Sequence, residues 1–309
     1  MVLFLNTQAA GGSALGKWEH IETCFRSRFS AANVLTPTDT DELKRLVQRS
    51  LELGEEQFVA AGGDGTVNAL LNALCAVTTA RERDRICLGA LGLGSSNDYH
   101  KPFLKEQFID GIPCKLDFAN AYRRDVGCLT FGENGQRASR FFLANASSGV
   151  TAEANLFFNN PTPALAFLKR VSTPSAILYA AIRTILTYRN FSCSIQAGDD
   201  DTHESQLTNL AVMKNPHVSG SFVYDTPVAP NSGSFAVNLS ESMSRTELLH
   251  LLYSLSRGRF TSLRNTRAWT SPSVRLNAEK PVAIEYDGEV VTARSATFTV
   301  LPNHLRVCP

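Results

Sequence analysis

Short apolar runs alternate with amphipathic helical patterns over the first 120 residues. Strands are predicted at residues 2–5, 33–36, 58–61 and 86–93. The helices between them carry apolar residues at helical spacing: Trp18, Ile21, Phe25 and Phe29, then Leu43, Leu46, Val47 and Leu51, then Val67, Leu70, Leu71 and Leu74. This βαβ series predicts an α/β domain, a parallel sheet with helices on both faces.

The pattern changes after Asp117, where we place a domain boundary. Strands are predicted at residues 141–144, 191–195, 210–213, 235–239, 274–276, 282–286 and 297–301. Because Gly, Asn, Pro and Asp separate them, an antiparallel β-sandwich is expected. Helices are predicted over residues 164–188 and from Ser244, where Glu247 completes a capping box. The domains are therefore residues 1–117 and 118–300, and the tail, about 301–309, can return to the first.

Composition narrows the class of protein. The chain has 309 residues, of which 43% are hydrophobic and 19% charged, and its net charge is +1. This composition is typical of a globular protein. A net charge this small does not produce the positive electrostatic field that recruits nucleic acid. No apolar run reaches membrane-spanning length. Neither the cysteines nor the histidines have zinc-ligand spacing. The seven dispersed cysteines fit reduced thiols in a cytoplasm, and His100 is expected at the surface.

The glycine-rich segment 62–66 lies between a predicted strand and a predicted helix. Its glycines permit positive φ and a close backbone approach to a phosphate, and the helix offers N–H groups to an anion. Thr66 can cap that helix or bind a phosphate oxygen. Asp64 can act through Mg²⁺ or accept a proton from a hydroxyl. A tight turn without a ligand explains the segment equally well.

Other small polar residues follow the neighbouring strands. The segment 92–99 follows the fourth strand, the segment 6–12 follows the first, and Thr36 ends the second. Open α/β sheets bind ligands in the crevice at the carboxyl ends of their strands, so a nucleotide site is favoured there. The segments match neither the dinucleotide-binding fingerprint nor the P-loop.

The alternating segment 284–291 surrounds the pair Asp287-Gly288 and predicts a hairpin with a type I′ turn. The turn alone explains Asp287 and Gly288. It does not explain Glu289, a carboxylate that could take the proton of an attacking alcohol.

These motifs occur in order in one known family. They are Asn6 with its small neighbours, Thr36, Gly62-Gly63-Asp64-Gly65-Thr66-Val67-Asn68, Gly94-Ser95-Ser96-Asn97-Asp98-Tyr99, the helical stretch 178–186, Asp287-Gly288-Glu289 and the segment 301–307. The set resembles the diacylglycerol kinase-like lipid kinases, which include bacterial soluble diacylglycerol and phosphatidylglycerol kinases and the sphingosine kinases. The resemblance covers nearly the whole chain.

The resemblance implies ATP in the α/β domain, a β-sandwich over the cleft, and Mg²⁺-dependent transfer of the γ-phosphoryl group to a diacylglycerol-like hydroxyl. It implies nucleotide binding by Asn6, Thr36, Gly62, Gly63, Asp64, Gly65, Thr66, Asn68, Gly94, Ser95, Asn97 and Asp98. Glu289 is then the base, with Asp64 as its rival, and Asp64 or Asp98 would hold the Mg²⁺ of Mg-ATP. A cytoplasmic enzyme docking transiently at a membrane surface is expected, and a homodimer is compatible with the sequence.

The chain departs from the family pattern at several positions. Ala69 stands where the family has Glu, and Thr151 where it has Asp. Ser232 replaces the Asp at which bacterial members hold a structural Mg²⁺, and a serine hydroxyl is a poor substitute for a carboxylate. The structural metal is therefore not expected.

Two other functions stay open. An NAD kinase-like enzyme with a soluble acceptor shares the glycine motif, although the Asp-Gly-Glu ending opposes it. A nucleotide-binding regulator without catalysis is favoured by Ala69, Thr151 and Ser232.

An apolar stripe from Leu165 to Ile185, flanked by basic residues, is a candidate lipid-facing wall. The basic residues are Lys169, Arg170, Arg183 and Arg189. A helix buried against the sandwich explains the same stripe and is favoured.

Overall fold

The structure, a computed structural model, describes residues 1–133, 136–198 and 200–309. The chain forms two compact units, Met1–Asp125 with Asn303–Pro309, and Val126–Pro302. The first unit thus extends past Asp117, where the sequence places the boundary. The reason is a pair of hydrogen bonds to Asn303, whose N–H donates to Asp125 Oδ1 at 3.0 Å and whose carbonyl accepts from Arg123 at 3.1 Å.

The first unit alternates strands and helices as its hydrophobic pattern predicts. Its elements are β1 (Val2–Leu5), α1 (Ser13–Arg28), β2 (Asn33–Leu35), α2 (Thr40–Glu52), β3 (Gln57–Gly62), α3 (Asp64–Val77), α4 (Ala80–Arg83), β4 (Cys87–Gly92), β5 (Phe108–Ile109) and β6 (Ile112–Lys115). Helix α2 begins after the capping residue Asp39, and Gly54 follows its end with a φ of 81°.

The sheet of this unit is parallel in the order β4-β3-β1-β2. Strand β6 joins β4 in antiparallel orientation, and the chain end pairs with β4 in parallel, with Arg306 opposite Cys87. Every residue of β1 is buried, because helices cover both faces of the sheet. The prediction of an α/β fold is confirmed.

The second unit is built mainly from antiparallel strands. Its elements are β7 (Tyr122–Glu133), which leaves the first unit, β8 (Gln136–Phe142), β9 (Asn145–Gly149), α5 (Val150–Asn159), α6 (Pro163–Val171), α7 (Thr173–Thr187), β10 (Phe191–Ala197), β11 (His203–Met213), β12 (His217–Val218), β13 (Phe222–Val223), β14 (Phe235–Glu241), α8 (Arg245–Leu255), β15 (Thr266–Ser271), β16 (Ser273–Tyr286) and β17 (Glu289–Val307), which re-enters the first unit.

Strand order in this unit is β15-β14-β11-β10-β16-β17, with β9 paired to both β11 and β16. The strands enclose a core that includes Leu210, Phe235, Ile284 and Phe298. The predicted β-sandwich is confirmed, as is the capping box of Ser244 and Glu247.

Several predicted boundaries in this unit are wrong. The segments 274–276 and 282–286 belong to one strand, β16, whose register shifts between Asn277 and Val282. The segment 141–144 straddles the end of β8. The single helix over 164–188 is two helices, because Ser172 is extended (φ −158°, ψ 108°) and caps α7, whose first turn holds a proline. The pattern also missed α5, β7 and β15.

Candidate active site

The carboxyl ends of four parallel strands bring the predicted residues of the first unit to one edge of the sheet. Leu5 lies opposite Ala61, Gly62 lies opposite Gly92, and Phe4 lies opposite Leu35. Asn6, Thr36 and the two glycine loops therefore begin at the same level, as the sequence predicts for a ligand crevice.

The two glycine loops are in direct backbone contact. The N–H of Gly94 donates to the carbonyl of Gly62 at 3.1 Å. A Cβ on Gly94 would lie 2.4 Å from Gly63 Cα, and one on Gly62 would lie 2.2 Å from Thr66 Oγ1. Close approach is thus what requires glycine here, as expected. The expected positive φ is wrong for this loop, since Gly63 has a φ of −94°.

Two helix N-termini at this edge lack a capping side chain. Helix α1 follows Gly12 and helix α3 follows Gly63, and neither glycine can supply a side-chain acceptor. Helix α2, by contrast, is capped by the carboxylate of Asp39. The Ser13 N–H already donates to the carbonyls of Ala9 and Ala10, and the Thr66 N–H donates to that of Gly63. The other N–H groups of the two first turns, with the positive ends of the helix dipoles, suit an anion such as a phosphate.

Most of the predicted polar side chains hold the loops rather than point outward. Thr66 does not cap α3, because its hydroxyl accepts from Asn6 Nδ2 at 3.0 Å. Asn97, in the left-handed region with a φ of 48°, accepts from the Gly94 N–H at 3.1 Å and donates to the Gly92 carbonyl at 3.0 Å. These contacts fix the loop shape that the backbone presents.

The two candidate metal-binding carboxylates differ in their surroundings. Asp98 is buried and forms an ion pair of 2.8 Å with Lys101. Asp64 begins α3, is half-buried, and accepts from the Tyr99 N–H at 2.8 Å. Asp98 is therefore enclosed beside the Lys101 ammonium, whereas Asp64 lies half-buried at the start of α3, next to the first glycine loop.

The remaining predicted residues fall into two groups. Thr36, Gly65 and Ser95 are exposed, so a ligand can reach them. Asn68 is buried within α3, and its side-chain oxygen accepts from Asn72 at 3.0 Å.

Sequence reasoning missed Lys17, which lies in the first turns of α1. Its ammonium donates to the carbonyls of Leu93 at 3.0 Å and Gly94 at 2.8 Å, and burial lowers its pKa. It adds a positive charge beside the second glycine loop. A lysine one turn after a glycine-rich loop is a signal that could have found it.

The surface position expected for His100 is wrong. The imidazole is buried, and burial, assisted by the charge of Lys115, lowers its pKa to about 4, so the ring is neutral near pH 7. Burial likewise lowers the pKa of Lys115 to about 8. The short helical turn Asp98–His100 carries Tyr99 and His100 inward, behind the glycine loop.

In the second unit, the Asp-Gly pair forms the predicted turn between β16 and β17. Asp287 and Gly288 have φ values of 45° and 91°, as a type I′ turn requires. The turn does not, however, explain Asp287 fully. Its carboxylate is buried and accepts the backbone N–H groups of Leu143, Ala144 and Asn145 at 2.8, 2.9 and 3.1 Å.

Further contacts brace the same turn. Glu285, which the sequence did not single out, is buried and accepts from the Gly288 N–H at 2.6 Å and from Ser147 Oγ at 2.7 Å. Asn159 Nδ2, at the end of α5, donates to the Gly288 carbonyl at 2.9 Å. Glu289 itself is exposed. The turn thus presents one accessible carboxylate on a rigid base.

Comparison with known families matches both units. The family described as "Diacylglycerol kinase catalytic domain" matches residues 1–120. The family described as "YegS C-terminal NAD kinase beta sandwich-like domain" matches residues 144–309, which is more than half of the chain.

Individual relatives agree with these matches. The chain is 27% identical to "Probable lipid kinase YegS-like" of Pectobacterium atrosepticum, over 100% of this chain and 96% of the relative. It is 23% identical to a diacylglycerol kinase of Staphylococcus saprophyticus, over 84% and 78% of the two chains. A crystal structure of a diacylglycerol kinase from Bacillus anthracis superposes with a TM-score of 0.68, at 14% identity, over 99% and 95% of the two chains, and it supports the fold.

Proposed function

This chain belongs to the lipid kinase family that joins a diacylglycerol kinase catalytic domain to a YegS C-terminal domain, and we propose that it transfers the γ-phosphoryl group of ATP to the hydroxyl of a diacylglycerol-like lipid. The observation that carries the proposal is the contact between the two glycine loops beside uncapped helix N-termini. Such a backbone surface suits the phosphates of ATP, and the NAD kinase-like and non-catalytic alternatives gain no support from any relative reported above.

In this mechanism the chain acts mainly by positioning. The remaining first-turn N–H groups of α1 and α3 receive phosphate oxygens, and Thr36, Gly65 and Ser95 are accessible beside them. Lys17 adds positive charge next to Gly94. Phosphoryl transfer requires alignment of the reactants and neutralisation of charge more than covalent chemistry by the protein. Backbone N–H groups can supply most of this alignment and charge stabilisation.

The residues present fit a Mg²⁺ ion that arrives with ATP. Mg²⁺ usually takes one or two carboxylates and completes its shell with water and substrate phosphates. Among the described residues no cluster of three or more His, Cys, Asp or Glu forms a ready-made metal cage. Asp64 would supply the carboxylate, and the ion would neutralise charge on the phosphates.

Glu289 is then the residue best suited to accept the proton of the lipid hydroxyl. A carboxylate that coordinates Mg²⁺ is a poorer proton acceptor. If Asp64 holds the metal, it is therefore a weaker candidate for the base. Glu289 is accessible, and the turn that carries it is fixed by Asp287 and Glu285. A base held on a rigid support loses little entropy when it meets its substrate.

The activity is tested by transfer of radiolabelled phosphate from ATP to lipids in mixed micelles. Diacylglycerol, phosphatidylglycerol, sphingosine and ceramide should be compared, with NAD as a soluble acceptor. We expect labelled product with diacylglycerol or a close analogue. Transfer to NAD alone, or ATP binding without transfer to any acceptor, would contradict the proposal.

A membrane-facing surface is proposed on α6 and α7. One face of α7 is buried, through Ala176, Ala180 and Thr184, while the opposite side exposes a run of apolar residues. The exposed apolar residues of the two helices are Phe167, Val171, Leu178, Ile182 and Leu186. The sequence favoured a helix buried against the sandwich for this stripe. Leu165 and Ile185 are buried as that expectation requires, whereas the five residues above are exposed, which supports the membrane-facing surface.

The occupant that we propose for this surface is an anionic lipid bilayer, reached from the cytoplasm. The acceptor of the reaction resides in a bilayer, and the exposed arginines Arg170, Arg183 and Arg189 complement anionic headgroups. Among the described residues no helix is both long and apolar enough to span a bilayer. We therefore propose peripheral, reversible docking.

Replacing both Phe167 and Leu178 with Ser should weaken binding to vesicles of phosphatidylglycerol and phosphatidylcholine by about tenfold or more, since each apolar side chain contributes roughly 1.5–3 kcal/mol when it leaves water. Co-sedimentation measures this. Leu53→Ser is the matched control, because Leu53 is 75% exposed and lies in the first unit. Activity on a short-chain, water-soluble diacylglycerol should be unchanged. Equal vesicle binding by all three proteins would exclude this surface.

A further inference from the structure

Lys214 is among the largest fully buried side chains of the protein, with 1% of its surface exposed. It directly follows β11. Removing an ammonium group from water is costly unless hydrogen bonds replace its hydration. The contacts of this ammonium therefore indicate what it stabilises.

The Lys214 ammonium donates to oxygens of one surface loop, residues 229–234. The Ala229 and Ser234 carbonyls each accept at 3.0 Å, and Ser232 Oγ lies at 3.4 Å. The Ser232 hydroxyl donates in turn to the same two carbonyls, at 3.1 and 3.0 Å. The loop is thus folded around a positive charge that comes from beneath it.

This is the loop at which the family resemblance implies a structural Mg²⁺, and its residues do not fit that ion. The oxygens are two carbonyls and a hydroxyl, and all of them already face the ammonium. Mg²⁺ requires near-octahedral oxygen ligands at about 2.0–2.1 Å and is usually held by a carboxylate. Ser232 supplies no carboxylate, and no metal-binding cluster of acidic, His or Cys side chains occurs in the part of the chain that the structure describes.

We infer that the Lys214 ammonium is a built-in cation that takes the place of a divalent metal in the 229–234 loop. A cation that belongs to the chain needs no binding step to occupy its site, and a chelator cannot remove it. The loop of this protein is therefore organised without a metal, and the Mg²⁺ of the proposed mechanism would arrive only with ATP. This inference concerns the structure of the second unit and does not depend on the identity of the lipid.

The same residue also connects the loop to the Asp-Gly-Glu turn. The backbone N–H of Lys214 donates to the Ala144 carbonyl at 2.7 Å, and the Ala144 N–H donates to Asp287 at 2.9 Å. Loss of the ammonium should loosen the loop first. It should then affect the segment that holds Asp287, and so the turn that carries Glu289.

The test compares thermal unfolding of the wild type and of Lys214→Met, in excess EDTA and in millimolar Mg²⁺ without ATP. We expect the wild-type midpoint to be the same in both buffers. The midpoint of Lys214→Met should be lower by about 5 °C or more, since the loop loses its hydrogen bonds to a charged group. Lys280→Met is the matched control, because Lys280 is exposed, and its midpoint should equal that of the wild type.

A second variant keeps the inference testable if Lys214→Met is too unstable to purify. In Lys214→Met/Ser232→Asp the ammonium is removed and a carboxylate is added, so Mg²⁺ or Ca²⁺ should raise the unfolding midpoint of this protein but not that of the wild type. The inference is overturned if the wild type is itself stabilised by Mg²⁺ and weakened by EDTA. It is also overturned if Lys214→Met is as stable as the wild type.

Discussion

Glu289→Gln is expected to slow phosphoryl transfer to lipid by about a hundredfold to ten-thousandfold while leaving ATP binding unchanged. The amide has nearly the same size and polarity as the carboxylate, but it cannot accept the proton of the lipid hydroxyl. Positioned general bases accelerate reactions by about a hundredfold to ten-thousandfold, and kcat should decrease by a factor within this range. The measurement is transfer of radiolabelled phosphate to diacylglycerol in micelles, with ATP affinity determined by calorimetry on the same protein.

The structure supplies a close control for this substitution. Glu279 is an exposed glutamate of β16, the strand that precedes the turn, so Glu279→Gln makes the same chemical change outside it. It should retain wild-type kcat. If Glu289→Gln also retained wild-type kcat, Glu289 would be removed as the base, and Asp64 would become the candidate.

The second large effect is expected from Gly94→Ala, which should weaken ATP binding by about a hundredfold, or roughly 2.7 kcal/mol. The new methyl group would lie 2.4 Å from Gly63 Cα and 2.9 Å from Asn97 Oδ1. Because the first of these atoms belongs to the backbone, no rotation of a side chain relieves the clash. The two glycine loops must separate, which breaks the hydrogen bond from Gly94 to the Gly62 carbonyl.

Gly132→Ala is the control for this prediction, since a Cβ at Gly132 meets nothing within 4 Å and Gly132 lies in β7 of the second unit. It should bind ATP as the wild type does. Calorimetric titration with ATP measures both variants, and circular dichroism checks that Gly94→Ala is folded. Wild-type affinity in a folded Gly94→Ala protein would contradict the view that contact between the loops shapes the phosphate site.

The sequence predicted which residues meet at one edge of the parallel sheet, for a physical reason. Parallel pairing aligns strand ends, so Asn6, Gly62 and Gly92 had to reach one edge once the βαβ pattern was recognised. The roles of the side chains were harder to predict. Asn97 and Thr66 satisfy partners within the loops, and such partners depend on the folded path of the backbone.

Contacts between distant segments were beyond sequence reasoning. Asp287 accepts hydrogen bonds from backbone groups about 140 residues earlier in the chain. The alternating pattern around the hairpin does not indicate such distant partners. The burial of Lys214 cannot be predicted from its position after a strand, because it depends on the 229–234 loop that covers it. The burial of His100 is equally hard to predict, because a single histidine belongs to no periodic pattern that would indicate a buried face.

The return of the chain end to the first unit has a consequence for biosynthesis. Arg306 and Val307 pair with Cys87 and Leu88 of β4, and the Cys308 N–H donates to the Leu88 carbonyl at 3.0 Å. These residues leave the ribosome after the whole of the second unit has been made. The first unit is therefore the last to complete its sheet. Strand β6 already pairs with Ala90 and Leu91, but the Cys87–Leu88 part of the β4 edge stays unpaired until the chain end arrives, and an unpaired edge favours aggregation.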